Sequence, residues 1–175
     1  MQTMADRFRH WYDYERHANA QTLTMLDSVP AAGRAAADFQ RAVDLMAHMI
    51  RARRMWLHRL GAWPEVPGGW NSDGSPLAEL PALLRPTEAA WVAWLGRLDD
   101  ATLAADLEWT TVDGKRYRWP VEAILTQVSG HAWYHRGQIA QLVRVLGGKT
   151  LASDYIFWAP HGPVVTSAVP PSTGS

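Results

Sequence analysis

Apolar and polar residues recur at a helical period over long runs of the chain, and glycine and proline punctuate them. Asp6 to Ser28 contains neither breaker and stops at Ser28-Val29-Pro30, which predicts a helix ended before proline. The same absence runs from Ala35 to Leu60, with Gly61 as the stop. Ala62 to Ser75 is rich in Gly, Pro, Asn and Asp and reads as a long connection or lid. A third helix is expected from Leu77 to Asp100, its first turns disturbed by Pro81 and Pro86. Between Leu107 and Trp119, aromatic and β-branched runs flank Asp113-Gly114, the signature of a short hairpin. Pro120 then opens a fourth helix that runs to Leu146 and closes at Gly147-Gly148. Four long helices with one extended crossover make an all-α four-helix bundle. Residues 1–161 form one expected domain, and 162–175, small and uncharged, a loose tail.

The second helix is apolar on two sides. Phe39, Val43, Met46, Ile50 and Leu57 fall on one, while Leu45, Ala52, Met55 and Trp56 share the other with His48. A helix apolar on both faces is covered on both, so the second face is expected to meet another copy of the chain in a homodimer. On the fourth helix, His131 and His135 are four residues apart and project within about 40° of each other. Ile124, Val128, Leu142, Val145 and Leu146 lie along the same stripe, with Gln127 and Gln138. A polar band of Gln127, His131, His135 and Gln138 inside an apolar stripe costs several kcal/mol unless something polar sits opposite. One divalent metal ion would satisfy it; so would a hydrogen-bonded histidine pair with ordered water.

His48 is the available third ligand, since it shares an interior face of the second helix. Three imidazoles leave positions open for water or substrate, as a reactive site requires. Zinc is the first choice, and nickel and ferrous iron accept imidazole too. Asp44, one turn before His48, can hydrogen-bond a ligand imidazole or reach the ion, although an exposed aspartate is the plainer reading. Gln138 projects beside the ligands as a pocket residue, whereas Arg136 should point away to the surface or an interface. His10, His17, His58 and His161 are assigned to solvent.

Composition narrows the rest. Of 175 residues, 47% are hydrophobic and 19% charged, the balance of a globular chain. A net charge of zero leaves no footprint for nucleic acid or anionic lipid. With no apolar run long enough for a span and a polar start, a cytoplasmic protein without membrane partners is expected. The absence of cysteine removes thiolate ligation and cysteine nucleophiles, so thiol chemistry would need an external thiol. Ten tryptophans suggest that some line a pocket or a subunit contact.

These residues resemble the DinB family. The likeness rests on the lone histidine in LMAHMIRARRMWLHRL (Leu45 to Leu60), on HAWYHRGQI (His131 to Ile139), and on Gly147 followed by Ser153-Asp154-Tyr155-Ile156. Tyr14 to Leu23, with Ala18-Asn19, echoes the family's first helix, and Asn19 enters as a candidate pocket residue by resemblance alone. The likeness implies a bundle of the DinB/YfiT-like type, often dimeric, whose His48, His131 and His135 hold a divalent ion. It also implies kinship with bacterial transferases that use a low-molecular-weight thiol, in which the ion activates the thiol against an electrophilic small molecule. A metal-dependent hydrolase using bound water and a non-catalytic metal-binding stress-response protein are the alternatives. Gln127, Tyr134 and Arg53 depart from the commoner family pattern and leave the substrate open.

Overall fold

The computed structural model describes residues 2–66, 74–111 and 113–159. The first helix, α1 (Met4–Asp27), begins with a capping box in which Thr3 and Asp6 satisfy each other's backbone N–H groups. It ends at Ser28, as Pro30 requires. A single turn, α2 (Ala31–Arg34), leads into α3 (Ala37–Arg59). Gly61, at φ +71°, closes α3: Ala62 N–H reaches Leu57 O and Gly61 N–H reaches His58 O. Gly147 does the same for the last long helix, with Gly148 N–H on Val143 O.

The expected third helix ends early, at Leu95 rather than Asp100. A 3₁₀ turn at Leu77–Glu79 precedes α4 (Leu80–Leu95), and α5 (Asp100–Ala104) follows as a separate piece. The break lies where Leu98 N–H turns back to Leu95 O and Asp99 caps a new start, its Oδ1 accepting from Thr102 N–H at 2.7 Å. Aspartate competes for backbone donors outside a helix, which the unbroken apolar pattern concealed. The hairpin forms as expected from β1 (Asp106–Thr110) and β2 (Arg116–Pro120), antiparallel, with Trp109 opposite Tyr117. Gly114 supplies the positive φ of the turn. Then α6 (Val121–Val145) crosses the molecule, and a short α7 (Tyr155–Trp158), absent from the sequence reading, lies against α1 through Tyr14 and His10. The lid expected at 62–75 lies partly, and the tail at 162–175 wholly, outside the described residues.

The bundle is mainly α, with α6 packed against both α3 and α1, and α4 against α3 and α1. Two apolar clusters fill it. One joins Met25, Leu26, Val43, Met46, Ile50, Ile139 and Val143, and the other joins Phe8, Tyr12, Leu57, Trp91, Leu95 and Leu125. Between them along the helices lies a buried polar belt of Glu15, Asn19, Arg53 and Arg136. Arg53 Nη2 donates to Glu15 Oε2, Arg136 Nη1 donates to Asn19 Oδ1 at 3.2 Å, and Asn19 Nδ2 donates to Glu88 Oε1 at 3.3 Å. Arg53 also stacks its guanidinium over Trp91 and Tyr12.

The second apolar face of α3 is covered in part within the chain. Ala52 and Met55 are 4% and 8% exposed, while Leu45, His48 and Trp56 on the same face are partly buried. Among the described residues no helix is long and apolar enough to cross a membrane.

Candidate metal centre

The three histidines converge. His48 of α3 places Nε2 at 3.1 Å from Nε2 of His131, and His135 Nε2 lies 3.0 Å from the same atom. All three rings are partly buried, and each offers one nitrogen to a common point. Local geometry explains the pair on α6, since residues four apart share a face. The long-range partner follows from helix pairing, because α3 and α6 run antiparallel against each other: Leu45 lies beside Gln138 and Leu142, one turn along from the level where His48 meets His131.

Proton bookkeeping decides what this triangle wants. The amide oxygen of Gln138 accepts from His135 Nδ1 at 2.7 Å, which puts the ring proton on Nδ1 and leaves Nε2 with a lone pair. Gln138 Nε2 in turn donates to the Tyr134 hydroxyl at 3.2 Å. Burial, then the neighbouring His135 and His48, then Arg53, push the His131 imidazole down to about 4, so it is neutral at pH 7. Burial also lowers His135, with the Gln138 bond opposing it. Neutral rings give His131 Nε2 either one proton or one lone pair to share between two close neighbours. Its two contacts cannot both be good two-centre hydrogen bonds when His135 presents only a lone pair. A cation at the common point resolves the mismatch. Imidazole nitrogens bound at about 2.0–2.1 Å stand roughly 3–3.4 Å apart, and the observed spacings fall in that range. The donor set therefore fits a divalent ion.

The other candidates separate. Gln138 stands beside the triangle, as described. Gln127 is exposed on α6 and lines a surface groove with Trp119 and Thr126, so the buried polar band is shorter than the helical projection implied. Val145 is 67% exposed although the next residue, Leu146, packs against the core, so the buried stripe lies to one side of the projected one. Asp44 is half-buried and accepts from Gln40 Nε2 at 2.9 Å and from Gly74 N–H at 3.1 Å. Asn19 sits in the polar belt, bonded to Arg136 and Glu88.

Arg136 reverses its expectation. It does point away from the histidines, but into α1 rather than solvent, and is 3% exposed. The helical wheel gave the direction correctly and could not say that α6 is covered on that side too. Burial lowers the Arg136 guanidinium from its usual value, with Glu15 opposing the shift. Of the remaining histidines, His58 Nδ1 meets Trp63 O at 3.1 Å, while His10 Nε2 meets the Tyr155 hydroxyl at 2.6 Å and is not free in solvent. His17 is exposed and borders Trp158. His161 lies outside the described residues. Sequence reasoning missed Arg41 and Gln141, which share a groove with Gln138. Arg41 precedes His48 by seven residues and Gln141 follows Gln138 by three, so helical spacing was the signal available.

A comparison with family models returns one described as the DinB family, matching residues 1–162, and the chain has no match among curated proteins or solved structures. With a match across nearly its whole length, a mainly α bundle and the three-histidine cluster, the chain belongs to the DinB family.

Proposed function

We propose that the protein is a divalent-metal-dependent enzyme, a transferase that takes a low-molecular-weight thiol as co-substrate, with His48, His131 and His135 as the metal ligands. The observation that carries this reading is the meeting of three imidazole nitrogens at spacings of 3.0 and 3.1 Å with His135 fixed in the tautomer that aims a lone pair inward. Zinc is the ion that imidazole sites of this kind favour first, with nickel or iron as alternatives. When bound, such an ion supplies Lewis acidity, which lowers the pKa of a thiol or water at its open position.

The chain's own residues do the rest. Gln138 holds the His135 ring by its Nδ1 proton, so the ligand cannot rotate or change tautomer freely. Burial keeps His131 unprotonated at neutral pH and ready to bind a cation. The chain has no cysteine, so the thiol is brought in from outside. Trp119 and Trp133 are the exposed tryptophans on the α6 side, 43% and 47% exposed, and are the surface we assign to a homodimer.

Elemental analysis of protein purified without chelator or nickel resin tests the centre, beside His48→Ala and His135→Ala. About one ion per chain, lost in both variants, is expected. Product formation from an electrophile panel that requires both the ion and an added thiol then supports the transferase. Metal-free wild type after reconstitution with zinc, nickel and iron overturns the centre, and turnover with water alone overturns the thiol.

A further inference from the structure

A groove opens beside the imidazole triangle, and its lining has a chemical polarity. Arg41 and Leu45 of α3 face Tyr134, Gln138, Gln141 and Leu142 of α6 across a volume of about 440 Å³. That lies within the roughly 300–1,000 Å³ typical of small-molecule sites. Gln138 joins the two places, since one end of its amide holds His135 and the other meets Tyr134. On α3, Leu45 and Arg41 precede His48 by three and seven residues, which puts all three on one side of the helix. The groove therefore runs from Gln138, which holds His135, over two leucines to a cationic end.

The charge along it is one-sided. Arg41 is exposed, is the only charged residue on the lining, and enters none of the ion pairs among the described residues. Asp38 and Asp44, each three residues from Arg41 along α3, are not on the lining, and Asp44 accepts from Gln40 and Gly74. A planar guanidinium with an amide side chain across from it matches a carboxylate, whose two oxygens accept from the fork. Seven residues at about 1.5 Å each place Arg41 on the order of 10 Å along α3 from His48.

We infer that the thiol co-substrate carries a carboxylate, held by Arg41 with Gln141 beside it, about two helical turns from the imidazole triangle, with an aliphatic spacer over Leu45 and Leu142. This rests on the reading of the triangle as a metal centre. Arg41 is a specificity-determining residue in that arrangement, and Gln141 supports the same end.

Full-length protein loaded with cobalt(II) tests it. Mercaptooctanoate and mercaptooctanol are the probes, alike in thiol and chain and different in the terminal group, and their binding is read from the visible cobalt spectrum. The acid is expected to bind about 5- to 10-fold more tightly at low ionic strength, with the preference shrinking as salt rises. Arg41→Ala should abolish the preference while the alcohol still binds, and Arg41→Lys, which keeps the charge without the fork, should retain part of it. Equal affinities in the wild type, or a preference that survives Arg41→Ala, overturn the carboxylate assignment and leave the metal centre standing. Wild type that takes up no cobalt overturns both.

Discussion

Two polar clusters sit on the same pair of helices, and their difference is instructive. Five residues separate His48 from Arg53 on α3, and five separate His131 from Arg136 on α6. Five residues turn a helix by about 140°, so histidines and arginines look to nearly opposite sides. On the inner side guanidinium donors meet the Glu15 carboxylate and the Asn19 carbonyl, while Arg53 Nε and Arg136 Nη2 are buried without a hydrogen-bond partner among the described residues. On the other, His131 Nε2 has one proton or one lone pair for two close nitrogens, one of them the His135 lone pair at 3.0 Å. Burial alone would have pointed to the arginines as the functional group, because they are more deeply buried than the imidazoles. Charge points the other way: the belt's cations already meet a carboxylate and an amide of the chain, whereas three converging imidazole nitrogens suit a cation between them.

The comparison breaks most visibly if the belt is cut. Glu15→Ala leaves Arg53 buried beside no carboxylate and is expected to destabilise by about 3–5 kcal/mol, measured by urea unfolding. Replacing Glu15 and Arg53 together with Leu and Met should recover most of that loss, and failure to recover would mean that the belt does more than satisfy itself.

Next in size is His131→Leu, which should behave oppositely with and without metal. In protein held with zinc at a hundred to a thousand times its dissociation constant, the variant should lose about 2.7–4.1 kcal/mol of linkage. In chelator, the same substitution should be neutral or stabilising, since leucine suits the apolar stripe. A loss of equal size under both conditions would make the histidine a packing residue like those of the belt.

Gln138→Leu sharpens the comparison more gently. It removes the partner of the His135 Nδ1 proton and should weaken metal binding by about 10- to 100-fold in a competition assay, with little change in apoprotein stability.

The smallest effect is on acid stability of the metal-free protein. His131 has a folded pKa depressed to about 4 against an ordinary 6.5, so the unfolded chain binds the proton more readily. Its neutral form is fully favoured above 6.5, and stability falls as the pH drops through the window from 6.5 to about 4. After allowance for solvent screening the fall is on the order of 1 kcal/mol. His131→Leu should flatten that part of the curve, which unfolding at several pH values in chelator would reveal.

Much of the fold could be read along the chain. The ends of α1, α3 and α6 were marked by Pro30, Gly61 and Gly147, because a helix stops where its backbone cannot continue, and that is local. The hairpin turn at Asp113-Gly114 was equally local. The division between α4 and α5 was less legible, since Leu95, Leu98 and Leu103 carry the apolar pattern across it and are all buried in one cluster. At the site, the pairing of His131 with His135 followed from spacing, and Gln138 beside them from the same wheel. The wheel also placed Gln127 and Val145 on the core stripe, where neither is buried, because both fall about 40° to the side of His131 away from the buried Val128, Ala132 and Ile139.

What the sequence alone determined are the quantities that depend on neighbours a few residues apart: where α1, α3 and α6 end, the hairpin turn, and which side chains share a face. Tertiary structure decided which face meets which. The antiparallel packing of α3 on α6 brings His48 within 3.1 Å of His131, and the packing of α6 on α1 turns Arg136 from a surface residue into a core one. Both depend on contacts between residues far apart in the chain, whose distance is set by the whole arrangement of helices and by no local preference.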